Sequence, residues 1–210
     1  SNGRPASLLT WLDEPLNVLE MLAPNFEQVI LCGHSFGCLS LAWSLLTASK
    51  DMTKKVKRVV FLAGALGRIR SGNLSDPALV EWRHNLDSDW IRERVEVGSV
   101  EENLQTLLLA SNKIHFEIDK FPAHIEPILL HPWGDTACSI DARLHVQESI
   151  DFLLSLNRGS LIVDKTQENV EGKGVVHDLP NLKTEFLKQL LDLSFVPKSK
   201  IFAYTGQEIT

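Results

Sequence analysis

A chain of 210 residues, 44% hydrophobic and 23% charged, has the make-up of a soluble globular protein with one sizeable core. Its net charge of −6, with no basic stripe and no acidic tail, argues against nucleic acid or a cationic surface as partner. No apolar run reaches membrane-spanning length, no signal-peptide pattern opens the chain, and Cys32, Cys38 and Cys138 lack metal spacing and read as thiols of a reducing, cytoplasmic compartment.

Residues 1–7 are polar and loop-like. Residues 8–22 carry Leu8, Trp11, Leu12, Leu16, Val18, Leu19 and Leu22 at amphipathic-helix spacing, with Pro15 near the start or at a break. Val29-Ile30-Leu31-Cys32 is a short apolar run suited to a buried strand over 28–32. Gly33-His34-Ser35-Phe36-Gly37 follows at once, and residues 39–48, rich in Leu and Ala and free of Pro and Gly, predict a helix. A polar connector over 51–57 leads to a second buried strand, 58–63, closed by Gly64. Strand, helix and strand in this order predict a right-handed parallel βαβ unit.

Residues 65–125 are dense in charge, with short helical patterns at 77–85, 89–97 and 100–111 and no strand. That length exceeds a simple crossover and predicts a helical cap over 67–125. A third strand is predicted at 127–131, followed by Pro132-Trp133-Gly134-Asp135. A helix is predicted over 143–156, a fourth strand over 160–163, a polar loop over 164–174 and a last amphipathic helix over 182–193. Residues 196–210 read as a tail. The resulting division is core 1–66, cap 67–125, core 126–195 and tail.

Gly33-His34-Ser35-Phe36-Gly37 between a strand and a helix carries the chemistry. A serine there stands on a sharp turn, where side chains two residues to either side are expected to clash and glycines remove them. The turn lifts Ser35 clear of the sheet, and the helix N-terminus favours negative charge beside it, with the Phe36 N–H as one oxyanion donor. Serine is a poor nucleophile at neutral pH. It needs an imidazole in contact, and the imidazole needs a carboxylate on its other nitrogen.

The strands, the GHSFG turn and the cap together resemble the α/β-hydrolase family over residues 1–193. The resemblance implies a mostly parallel sheet flanked by helices and a triad in the chain order nucleophile, acid, histidine. It places Ser35 as nucleophile, Asp135 as acid after the third strand, with Asp141 and Asp164 as competitors, and His177 as base before the final helix. His34 is expected to line the pocket or pack beside the nucleophile, and Trp133 to wall the site or pack in the core. Cys38 stands where the family commonly has a glycine and reads as a small packing residue. His84, His115, His124, His131 and His145 show no metal-type pairing; neither metal nor cofactor is expected.

The family places several strands before the elbow, and none is predicted in residues 1–26. Residues 2–7 resemble the loop before the pre-elbow helix. The expectation is that the first half of the sheet lies upstream of Ser1, or that a second copy or a partner completes it. The elbow strand is then an exposed edge, and the second oxyanion donor comes from outside these residues. The function expected is hydrolysis of a carboxylic ester or thioester of a small apolar acyl substrate. Trp82, Trp90, Leu107, Leu108, Leu109 and Phe116 are expected to supply an apolar cap surface. The alternative is a non-catalytic remnant that binds a small ligand or a protein.

Overall fold

The computed structural model describes residues 7–64, 66, 83–84, 86–89, 93, 99–135, 137, 142–168, 176–197 and 200–206, with the backbone alone for 142–145. Among them, five strands form one sheet in the order β1-β2-β3-β4-β5, and every neighbouring pair is parallel. The strands are β1 (Val29–His34), β2 (Val56–Leu62), β3 (Glu126–Pro132), β4 (Ser160–Asp164) and β5 (Ile201–Tyr204). The helices are α1 (Leu8–Leu22), α2 (Phe36–Thr47), α3 (Val100–Phe116), α4 (Ala142–Leu156) and α5 (Thr184–Leu191), with a single helical turn at Lys50–Thr53.

Strand periodicity divides the core into two layers. Val59, Phe61, Leu129 and Leu161 face one side of the sheet and pack with α1, α2, α3 and α4. Val60, Leu62, Ile128, Leu130 and Ile162 face the other and pack with Phe186 and Leu190 of α5. Burial on both faces explains why β2, β3 and β4 read as continuous apolar runs. β1 stands at the edge of the sheet, with β2 on one side, as expected of the elbow strand.

Four local features differ from the sequence reading. α1 runs through Pro15 without a break, at the cost of one intrahelical bond; Ser7 caps it, its Oγ accepting from the Thr10 N–H at 3.1 Å. β1 extends through Gly33 and His34, and α2 begins at Phe36 rather than Leu39, because Ser35 itself is the N-cap residue. The stretch read as a tail contains β5, which pairs with β4 from Leu161↔Ile201 to Asp164↔Tyr204. Four residues with only Tyr204 buried give too short a pattern to be read as a strand. Tyr204 stacks on Phe186 of α5, ring centroids 3.8 Å apart, and this contact across the second layer holds β5 in place.

The fourth difference concerns the expected cap. Residues 100–116 form the long helix α3, started by a capping box in which Ser99 and Glu102 satisfy each other's N–H groups. Leu104, Leu107, Leu108, Ala110 and Ile114 of α3 lie in the main core beside α1 and α2. The apolar stripe of this part of the segment is therefore spent on α1 and α2. Leu107 and Leu108 are core residues, Leu109 and Phe116 point to solvent, and Trp82 and Trp90 lie outside the described residues.

Candidate active site

In a parallel sheet all strands end at the same side, so residues just past their C-terminal ends are brought together from distant parts of the chain. Ser35 follows β1, Asp135 follows β3 and His177 follows β4. The His177 ring lies between the other two. Its Nδ1 is 2.8 Å from Asp135 Oδ2 and its Nε2 is 2.6 Å from Ser35 Oγ. A carboxylate only accepts, so Nδ1 carries the proton, Nε2 is left as acceptor, and the Ser35 hydroxyl donates to it.

The elbow that presents Ser35 is strained. Ser35 has φ 54° and ψ −124°, outside the regions a serine ordinarily occupies, at a cost of about 1–3 kcal/mol. Its N–H donates to the Leu62 carbonyl at 2.9 Å, and its carbonyl accepts from the Cys38 N–H at 3.0 Å. These bonds hold the turn between β2 and the first turn of α2. The two glycines play different parts. A Cβ on Gly33 would stand 2.7 Å from the Gly37 carbonyl oxygen and 2.8 Å from Leu41 Cδ1, so β1 and α2 can close on each other only with glycine there. A Cβ on Gly37 meets nothing within 4 Å among the described residues, so the expectation of a clash at both positions fails for Gly37. Cys38 is wholly buried, its Sγ within reach of the Gly33 carbonyl at 3.1 Å and the Leu62 carbonyl at 3.3 Å, and a Cβ on Gly64 would overlap it.

Asp135 is 1% exposed. Burial by itself pushes its carboxyl up; the hydrogen bond and electrostatic attraction of the His177 ring, the Ala137 N–H at 2.9 Å and the electrostatic attraction of His131 outweigh that and hold it below the usual carboxylate range. The two oxygens divide the work, Oδ2 toward His177 and Oδ1 toward the backbone of Ala137. Asp164, a competitor from sequence, is also buried but turns to its own neighbours, accepting from the Thr166 N–H and hydroxyl and from Gln167 Nε2. Asp141 lies outside the described residues.

The loop that carries His177 is held from both sides. Leu179, with φ 54°, buries its side chain in the second core layer. Asn181 donates to the Thr166 carbonyl at 2.7 Å and to Gln167 Oε1 through its backbone at 3.3 Å. Gln167 in turn holds Asp164, so the end of β4 and the histidine loop form one hydrogen-bonded unit. Short polar residues scattered over 164–181 gave no sequence signal for this arrangement.

Phe36, the oxyanion donor expected from sequence, is the first residue of α2, and its N–H has no partner within the helix. Its ring meets Trp11 of α1 edge to face at 5.9 Å. Trp133 sits on the turn before Asp135; its N–H donates to the Asp164 carbonyl at 2.8 Å, and its half-exposed ring lies under Lys165 Nζ at 5.5 Å. The His34 Nε2–H donates to the backbone carbonyl of His177 at 2.8 Å. Among the described residues no cluster of three or more His, Cys, Asp or Glu side chains could hold a metal ion.

No model of a known protein family matches the sequence, and comparison with curated proteins gives no match. Solved structures do match in shape. One, described in work on carboxylesterases of the ammonia-oxidizing thaumarchaeon Nitrososphaera gargenis, has a TM-score of 0.47 and 14% identity, over 89% of this chain and 72% of that one. Another, tomato methylketone synthase I in complex with 2-tridecanone, has a TM-score of 0.42 and 16% identity, over 84% of this chain and 76% of that one. The fold, read from its own topology, is α/β-hydrolase-like: a parallel sheet flanked by helices, with a strand–serine–helix elbow.

Proposed function

We propose that this chain is a serine hydrolase that cleaves a carboxylic ester or thioester of a small apolar acyl group through an acyl-enzyme. The observation that carries the reading is the continuous relay from Asp135 through His177 to Ser35, on a strained elbow at the start of a helix. Ser35 Oγ attacks the acyl carbon while its proton passes to His177 Nε2, and Asp135 holds the imidazolium that forms. The carbonyl oxygen becomes an oxyanion that the Phe36 N–H and the positive end of α2 stabilise. Collapse expels the alcohol or thiol, which takes the proton from His177 Nε2 and leaves the acyl group on Ser35. Water, deprotonated by His177, then attacks the acyl carbon; Ser35 leaves with the proton and the carboxylic acid is released. Acyl transfer to another acceptor uses the same residues. The thiols of Cys32 and Cys38 suit a reducing, cytoplasmic setting; among the described residues, no helix is long and apolar enough to cross a membrane.

The test is labelling of the 210-residue chain with a fluorophosphonate probe, with the adduct mapped by mass spectrometry beside Ser35→Ala and His177→Ala. An adduct on Ser35 that is absent from both variants supports the reading. A folded chain that takes no adduct overturns it for these 210 residues and leaves a binding role for the same site.

The edge position of β1 favours a second reading for assembly. Among the described residues its other side has no strand partner and offers unpaired backbone groups. We read that side as the place where a segment upstream of Ser1, or a second copy, extends the sheet and brings a second oxyanion donor. Sedimentation and probe labelling of this chain over a range of concentrations, alone and with any upstream coding sequence attached, test this. A monomer that labels equally fast in both forms at every concentration counts against it.

A further inference from the structure

His34, the residue before the nucleophile, takes no part in the steps above. It is the last residue of β1, and its side chain turns along the top of the sheet toward the histidine loop. Its Nε2 lies 2.8 Å from the backbone oxygen of His177. The two imidazole rings lie 5.0 Å apart, tilted by 43°. A carbonyl only accepts, so His34 Nε2 carries the proton and donates; the neutral Nε2–H tautomer and the imidazolium both keep the bond.

The contact joins residues 143 apart in sequence, at the point where the elbow and the histidine loop must meet. His177 Nε2 reaches Ser35 Oγ from one side chain, and the backbone of the same His177 is held by the neighbour of Ser35. Downstream, the loop is tied through Leu179 and Asn181. At His177 itself, His34 supplies a tie to the backbone. With both ends fixed, the ring has little freedom to swing about Cα away from Oγ.

We propose that His34 is a positioning residue: its hydrogen bond to the His177 carbonyl registers the histidine loop against the elbow and keeps the base in contact with the nucleophile. This rests on the reading of Ser35 and His177 as nucleophile and base. It differs from the pocket-lining role that sequence suggests for position 34, because the donor is spent on the protein backbone. An imidazole suits this role because Nε2 stands far enough from the backbone of β1 to reach a carbonyl on the neighbouring loop, and a glutamine Nε2 spans a similar distance.

The experiment compares wild type, His34→Ala and His34→Gln. The fluorophosphonate labelling rate of Ser35 and kcat and KM for p-nitrophenyl acetate are measured, with thermal melts as a check on folding. The exposed position of His34 makes the variants tolerable to the core. His34→Ala is expected to lower the labelling rate and kcat about tenfold, the loss of one ordinary hydrogen bond at the transition state, with KM nearly unchanged. His34→Gln, which restores a donor, is expected to recover most of the rate. Unchanged kinetics in the alanine variant, an effect on KM alone, or a glutamine variant no better than alanine each overturns the proposal. A second readout needs no activity: the downfield Nδ1 proton of His177, followed by NMR, is expected to be sharp in wild type and to broaden in His34→Ala. If wild type takes no label, the hydrolase reading falls, and this signal still decides on positioning: a resonance identical in both proteins overturns it.

Discussion

The elbow and the histidine loop bring their residues to the same point by opposite means. The elbow is local. Three consecutive features of one segment, a strand, a serine in a strained conformation and a helix, determine where Ser35 Oγ stands, with the fit secured by Gly33 against Gly37 and Leu41. The histidine loop is assembled from afar: Asp135, His34, Gln167 and the second core layer all hold it through single contacts. A local turn fails when its backbone is blocked, whereas a tethered loop fails by degrees as ties are cut. Substitutions in the two segments should therefore behave differently.

The largest expected effects belong to the groups that react in the proposed mechanism. Ser35→Ala abolishes covalent labelling, and His177→Ala lowers the labelling rate by on the order of 10⁴ or more, since serine without a base in contact is nearly inert. Asp135→Asn, read by the same rate, costs about 10⁴ by removing the carboxylate that selects the tautomer.

Next come the two glycines. Gly33→Ala forces a Cβ into backbone only 2.7 Å away, and is expected to lower stability by about 1–3 kcal/mol and to cut labelling with it, as measured by urea unfolding and probe rate. Gly37→Ala, inside α2 and free of such a contact, is expected to change stability by no more than about 1 kcal/mol, and in the favourable direction. A larger loss at Gly37 than at Gly33 would reverse this account of the turn.

Asp135 contributes to the pH response as a buried carboxylate. Its pKa is lowered in the folded chain, so the unfolded state binds the proton more readily. The stability it contributes is therefore fully present above the ordinary carboxylate pKa of about 4 and is lost as pH falls through its lowered value. Melting temperatures from neutral to acid pH should fall less steeply in Asp135→Asn than in wild type. Equal slopes would mean that the His177 pair contributes nothing to that dependence.

The smallest expected effect is at the far end of the histidine loop. Asn181→Ala removes one tie among several, worth about 1 kcal/mol, and should slow labelling only a few fold. A loss as large as that of His177→Ala would mean that the loop, like the elbow, depends on a single point.

Much was legible before the structure. β1 to β4 and the elbow are short-range events: apolar runs of strand length and a glycine-flanked serine between strand and helix carry their own signal. The order Ser35, Asp135, His177 followed from the resemblance and from position after strands, and the parallel sheet turns serial position into proximity. Arg58 shows the opposite case. In sequence it only opens a strand; in the fold it is buried and donates to Glu126 and to the carbonyls of Leu190, Asp192 and Phe195, pinning the segment after α5 to β2.

By itself the sequence determined four apolar runs of strand length and a glycine-flanked serine between a strand and a helix. Those properties depend on neighbours within a few residues. Only the tertiary structure decided that α3 belongs to the core, that residues 201–204 extend the sheet, that Asp164 serves its own loop, and that His34 reaches the carbonyl of His177. Each of these is a choice among partners far apart in sequence, and single long-range hydrogen bonds or four-residue pairings leave no periodic trace from which the choice could be read.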